Sequence, residues 1–258
     1  MLGSIAGDII GSRYEASKVE GIDFELFTEE SRFTDDTVLS VATSDAILFE
    51  RPFEDAYREY THMYPSAGYG GDYIKWAFTE DSKPYGSYGN GSAMRVSPVG
   101  FAYDDEETVM EMAKASAECT HNHEQGILGA QATAMCVLWA RTGKSKDEIR
   151  AMVSERFKYN LERTLDEIRP TYSFKGSCQE TVPEAITAFL ESSSIEDAIR
   201  KAVSLGGDAD TLGCITGSIA HAYYGQLPGS ILSEIRARLD EPLMGIVTEF
   251  CKRCGIPL

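Results

Sequence analysis

The sequence predicts an all-α protein folded as one compact domain over residues 1–258, and three observations carry that prediction. Nowhere do two runs of strict apolar/polar alternation flank hairpin residues, so paired strands have no signal. Apolar residues recur instead at helical spacing after Ser, Thr, Asp or Pro, as in Asp35-Asp36-Thr37-Val38-Leu39 and the residues beyond it. No stretch has the composition of a linker, and no repeat of about 20 to 50 residues suggests a solenoid. A chain of this length then holds about ten or more helices of about 11 residues each.

Taken in order, Ile5, Ile9 and Ile10 share one face of a first helix, with Ala6, Gly7 and Gly11 small enough to let a neighbour come close. Asp8 interrupts that face and reads first as a buried acceptor that fixes a loop; Glu15 follows beside Arg13. Residues 17–33, with Glu20, Asp23, Glu25, Glu29 and Glu30, read as an irregular acidic loop. A helix opens at Phe33-Thr34-Asp35-Asp36-Thr37, capped by Thr34 or Asp35, and another is expected over 52–63, closed by Pro65. The glycine-rich turn at 66–72 leads into a short aromatic segment at 73–78.

From Pro84 to Arg95 small residues alternate with aromatics ahead of a helix expected over 93–101. Backbone amides in such a loop can cradle a phosphate, although the lysine and the preceding strand of a P-loop are both missing. Tyr85 or Tyr88 offers a face for a planar base. Helices over 105–119 and 123–141 are joined by Thr120-His121-Asn122-His123, where a histidine serves as a cap, as a packed polar group or as a donor to a phosphate. After a helix over 145–157, residues 159–178 are less regular, with Pro170 and Gly176 as breakers. Helices over 181–190 and 194–205 deliver the chain to Gly206-Gly207, which free the backbone for a turn into a helix over 212–224; segments 228–239 and 242–254 complete the chain.

Charge narrows the function. With 41 acidic against 24 basic residues the net charge is −17, a field that repels phosphate backbones and anionic membranes, so nucleic acid and membrane are not expected partners. No apolar run reaches transmembrane length, the first residues lack the basic region of a signal peptide, and six scattered cysteines do not make a disulfide scaffold. A cytoplasmic location is the expectation. Cys251-Lys252-Arg253-Cys254 lacks a second ligand pair at matching spacing and reads as an ordinary helix end.

Two acid-rich helix starts carry the chemistry: Thr34-Asp35-Asp36 and Asp208-Ala209-Asp210-Thr211. One acid in a first turn suits the helix dipole, but two carboxylates about 4 Å apart repel by about 4 kcal/mol at an effective dielectric of about 20. Oxygen donors without histidine or thiolate suit hard ions such as Mg²⁺ or Mn²⁺, and two divalent ions balance four carboxylates. Two unrelated capped helices on an acidic surface remain the alternative on spacing alone.

An ordered set of motifs settles on a resemblance. Gly7-Asp8-Ile9-Ile10-Gly11 with Glu15, Phe33-Thr34-Asp35-Asp36-Thr37, Gly89-Asn90-Gly91-Ser92-Ala93-Met94-Arg95, Thr120-His121 and Gly206-Gly207-Asp208-Ala209-Asp210-Thr211 together resemble the ADP-ribosylglycohydrolases over nearly the whole chain. The resemblance implies that family's orthogonal helical bundle and a metal-dependent hydrolase that cleaves the N- or O-glycosidic bond between ADP-ribose and a protein side chain or small molecule. It implies two Mg²⁺ or Mn²⁺ ions on Thr34, Asp35, Asp36, Asp208, Asp210 and Thr211, gripping the distal ribose. Ser87, Tyr88, Gly89 and Asn90, with Gly91 and Met94 of the same loop, would line the ADP moiety, and His121 would contact a phosphate. Gly70 and Gly71 belong to the turn expected near the scissile bond. Glu15, with Asp35 and Asp36, is the expected proton-handling set. A monomer that releases ADP-ribose is implied; a silent ADP-ribose-binding or structural protein, and a metal-dependent nucleotide-diphosphate phosphohydrolase, stay open beside it.

Overall fold

The computed structural model describes residues 1–15, 19 and 21–258 and is helical from its first turn. Helix α1 (Leu2–Gly11) is buried along its whole length, and the chain then runs irregularly to α2 (Asp35–Leu48), capped by Thr34, whose side chain accepts from the Asp36 amide. Of the acidic loop expected over 17–33, residues 17, 18 and 20, Glu20 among them, lie outside the described residues; 19 and 21–33 carry no helix. There follow α3 (Phe53–Met63), α4 (Gly71–Phe78), α5 (Gly91–Met94), α6 (Ser97–Ala102), α7 (Glu106–Glu118), α8 (Glu124–Arg141), α9 (Lys146–Phe157) and α10 (Leu165–Ile168). Then come α11 (Cys178–Leu190), α12 (Ile195–Val203), α13 (Ala209–Tyr224), α14 (Gly229–Arg238) and α15 (Glu241–Cys254). Among the described residues the one extended pairing is an isolated antiparallel bridge between Gly89 and Ser177.

Three helix limits differ from the periodicity, the simplest being α13, which begins at Ala209 rather than 212 and so takes Asp210 and Thr211 into its first turn. The helix expected over 93–101 is two short helices, because Pro98 has no amide to give the Met94 carbonyl. That carbonyl accepts instead from the Ser40 hydroxyl at 3.3 Å and the Cys214 thiol at 3.2 Å, which ties α5 to α2 and α13. Helix α11 begins at Cys178 rather than 181 and carries Pro183 inside it; the amide missing there would have bonded Gln179, in the exposed first turn.

The centre is the seam between α1 and α13. A Cβ on Gly7 would lie 1.9 Å from the Gly213 carbonyl oxygen, one on Gly3 2.1 Å from that of Gly217, and one on Gly11 2.4 Å from that of Ala209. Backbone therefore touches backbone over three turns, closer than any side chain would allow. That approach sets Asp8 of α1 beside the first turns of α2 and α13, where both acid-rich motifs begin. Around the seam one continuous apolar core takes in α2, α8, α11, α12 and α15. No helix among the described residues is long and apolar enough to cross a membrane.

Candidate active site

Asp8 organises the acidic end. Both its oxygens are committed: Oδ1 accepts the Thr34 hydroxyl at 2.6 Å, and Oδ2 accepts the Thr34 amide at 2.9 Å, the Thr37 amide at 3.1 Å and the Thr37 hydroxyl. It is therefore the buried loop-fixing acceptor that its place on the first helix suggested, and it pins the start of α2.

Gly206 and Gly207 both adopt left-handed backbone, with φ of 75° and 70°, to turn the chain into α13. Asp208 sits at the N-cap position yet makes no capping bond with its side chain; its Oδ2 accepts the Asn90 amide group at 2.7 Å. Asp210 accepts the Thr211 amide at 2.9 Å, and the Thr211 hydroxyl reaches Asp36 Oδ2 at 3.3 Å across the gap between α13 and α2. Carboxylate oxygens of Asp8, Asp36 and Asp210 lie within 4.8 Å of one another, and so do those of Glu15, Asp208 and Asp210.

This crowding needs a counter-charge. Burial first, and the neighbouring Asp8 next, push the Asp35 carboxyl up to about 8 and hold that of Asp36 well above the usual range. Burial and Asp36 do the same to Asp210, and burial and Asp208 raise Glu15. Asp36 Oδ1 is fully buried with no hydrogen-bond donor among the described residues, although buried oxygens ordinarily have one. An oxygen-only donor set with an orphaned carboxylate oxygen fits a hard divalent cation.

Apart from Asp8, these acids face one cavity of about 400 Å³. Thr34, Asp35, Asp36, Asp208, Asp210, Thr211 and Glu15 line one part of it, Ser87, Gly89, Asn90, Gly91, Met94 and His121 line another, and the two parts meet where Asn90 bonds Asp208. Gly70 and Gly71 lie on its side wall, in a turn whose Ala67 carbonyl accepts the Asp35 amide at 2.9 Å. Gly68, at φ 111°, brings that turn close enough that a Cβ would stand 3.3 Å from Asp35 Oδ1. Among the residues singled out from sequence, Tyr88 alone is outside the lining: it is 54% exposed, with its ring edge-on to His123 at 5.5 Å.

The second end is built from loops. Residues 86–91 are held by the Asn122 side chain on the Gly86 amide at 2.8 Å, by the Asn90 amide on Gly176 O at 2.8 Å and by the Cys178 amide on Tyr88 O at 3.0 Å. The amides of Gly89 and Asn90 are thereby spent, the first on Ser87 Oγ at 3.1 Å, so these two do not serve as a phosphate cradle. His121 is buried beneath the loop, with Nδ1 2.7 Å from the Thr120 hydroxyl. Burial, then the Arg95 charge, hold its pKa well below the ordinary histidine value.

Sequence reasoning missed Arg32, Asp72, Phe174 and Gly176, which also line the cavity. Phe174 and Gly176 arrive through the pairing with the 86–91 loop, for which the sequence carries no mark. Arg32, an exposed base within an acidic loop, offered a signal in the reversal of charge.

The sequence model of the family described as ADP-ribosylglycohydrolase matches residues 1–255. The chain is 28% identical to ADP-ribosylhydrolase ARH3 of Homo sapiens over 89% of its own length and 86% of that protein. It is 25% identical to ADP-ribosylarginine hydrolase Tri1 of Pseudomonas putida over 87% of its length and 69% of that protein. A solved structure described as an ADP-ribosylglycohydrolase-related protein complex has the same fold, with a TM-score of 0.72 at 23% identity, covering 98% of this chain and 97% of that one.

Proposed function

The chain belongs to the ADP-ribosylglycohydrolase family, and from that premise we propose that it is a metal-dependent hydrolase, one domain over residues 1–258, that cleaves the glycosidic bond between ADP-ribose and an acceptor and releases ADP-ribose. The observation that carries this reading is that one cavity is lined both by the acid cluster and by His121 with Gly89 and Gly91 packed against its ring. A ribose with vicinal hydroxyls suits the first, and a pyrophosphate suits the second.

In this reading Thr34, Asp35, Asp36, Asp208, Asp210 and Thr211 hold two divalent ions, Mg²⁺ or Mn²⁺. Bound there, the ions would offset the carboxylate charge and polarise the ribose hydroxyls. Asn90 holds Asp208 in place rather than facing the ligand alone, since its amide group bonds both that carboxylate and Thr181 Oγ1 at 3.1 Å. Glu15, at the edge of the acid cluster and exposed, is placed to take a proton from water attacking C1″ as the sugar passes through an oxocarbenium-like state. Asp35 and Asp36 are the other proton-handling groups of this reading.

Arginine- and serine-linked ADP-ribosyl peptides incubated with Mg²⁺, with Mn²⁺ and with chelator test it by release of intact ADP-ribose. Release that stops with chelator is expected; AMP as product would select a phosphohydrolase instead. Glu15→Gln should lower kcat by about a hundredfold with ADP-ribose affinity within about twofold of wild type. Unchanged kcat removes Glu15 from the mechanism.

A further inference from the structure

Beneath the second end of the cavity lies an arginine that no carboxylate pairs. Arg95 is fully buried, its guanidinium stacked 4.2 Å above the Tyr57 ring, and Nη2 donates to Ser116 O and to Thr120 Oγ1, each at 2.8 Å. Its Nε and Nη1 are buried with no hydrogen-bond partner among the described residues. Buried guanidinium groups ordinarily face a carboxylate or several carbonyls. Here the charged head is kept in place by an aromatic face, one carbonyl, one hydroxyl and, at 3.8 Å, the Cys119 sulfur.

The direction of the hydrogen bonds follows from that arrangement. Guanidinium nitrogens only donate, so Thr120 Oγ1 must accept from Arg95. The hydroxyl proton is then free for a second partner, and His121 Nδ1 stands 2.7 Å away. The competing acceptor beside it is the Cys119 thiol, which is a far weaker one. With Nδ1 accepting, the proton of a neutral imidazole resides on Nε2. That atom has no hydrogen-bond partner among the described residues and is set against the loop: a Cβ on Gly91 would stand 3.0 Å from it and one on Gly89 3.5 Å. His121 lines the cavity at that point.

We infer that Arg95, through Thr120, is a positioning residue that locks His121 in the Nε2–H form, so that the imidazole presents a fixed neutral donor to an anionic oxygen of the ligand. Resting on the reading of the ligand as ADP-ribose, the oxygen is one of its pyrophosphate. His121 is then a hydrogen-bond donor and takes no part in moving protons. Gly91 is a glycine here because the imidazole edge stands where a side chain would need space. Since the nearby Gly89 and Asn90 amides are committed within the protein, the ligand depends on this imidazole more than a glycine-rich loop would suggest.

Long-range ¹H–¹⁵N spectra of the uniformly labelled wild-type protein read the tautomer directly, with the His121 signals assigned by their absence from His121→Gln. The expected pattern is a protonated Nε2 and an unprotonated Nδ1 from pH 6 to pH 8, with or without ligand. A protonated Nδ1 in the wild type overturns the inference, and because this measurement needs no substitution at Thr120 and no nucleotide, it stands even if ADP-ribose fails to bind. Failure of ADP-ribose to bind wild type by calorimetry would instead sink the reading of the ligand. Thr120→Val keeps the shape and removes the hydroxyl; it should mix the tautomers and weaken ADP-ribose about tenfold, the scale of one hydrogen bond to a charged group. Thr120→Ser should restore both. A Thr120→Val protein with wild-type spectrum and affinity overturns the relay.

Discussion

The two ends of the cavity solve opposite problems with different materials. At the acidic end, helices meet at a seam of glycines and the side chains are crowded, like-charged and short of partners; Asp36 Oδ1 is left bare. At the other end, loops meet through single hydrogen bonds, and the buried charge is a cation with no anion beside it. Each end lacks what a ligand with two ions at a ribose and a pyrophosphate beyond it would supply. A site of this kind gains its charge balance from its contents.

The largest effect should come from breaking the seam. In Gly7→Val the added atoms meet a carbonyl that a Cβ would already approach to 1.9 Å, so the helices must part. A loss of about 3 kcal/mol in urea unfolding is expected, the upper range for overpacking, together with loss of any cation-dependent stabilisation. Substitution without such loss would mean that the acids do not depend on the close approach.

Next is Asp8→Asn, which keeps the shape but sets an amide group against the amides and hydroxyls that Asp8 now accepts from. Mn²⁺ affinity, followed by titration calorimetry, should fall about 10- to 100-fold while the circular dichroism spectrum holds. Unaltered affinity would show the pinning of α2 to be dispensable for the ions.

A third outcome concerns pH. Asp35, raised to about 8 by burial and by Asp8, keeps its proton in the folded chain well above the value of 3.8 at which a free aspartate loses it. Between those values the folded state binds more protons than the unfolded one, so stability of the ion-free protein falls as pH rises through that window. A divalent ion that pairs with the ionised carboxylates reverses this. The rise in Tm on adding Mg²⁺ should therefore be greater at pH 8 than at pH 5, and an equal rise at both would place the ions elsewhere.

The smallest effect belongs to the far end. Tyr88 stands exposed outside the cavity, so only a base that extends past the lining would stack on it. Tyr88→Ala should weaken ADP-ribose about fivefold, the lower range for stacking on a base, and leave ribose 5-phosphate untouched.

The acidic end was legible in the sequence because charge density needs no three-dimensional information: two helix starts each carried more carboxylate than a cap uses. The helical fold was legible for a similar reason, since caps and spacing are local; Thr34, Ser145 and Ser194 all cap where they stand. The other end was only half legible. His121 and the loop at 86–91 could be named, but what holds them comes from residues 95, 120, 122 and 176, joined by hydrogen bonds that leave no periodicity. The split at Pro98 was readable in principle, because proline cannot continue the ladder, yet the apolar run over 93–101 masked it.

The contact of Gly3, Gly7 and Gly11 with Gly217, Gly213 and Ala209 has one more consequence. Between the helices that carry Asp8 and Asp210 there is no side-chain torsion to relax, so their separation behaves as a gauge block cut in main chain. Apolar residues around it can be exchanged over evolutionary time, and thermal loosening can reshuffle their rotamers, without altering the gap. A lineage of such proteins is then free to rewrite most of its interior while keeping one fixed dimension at its centre.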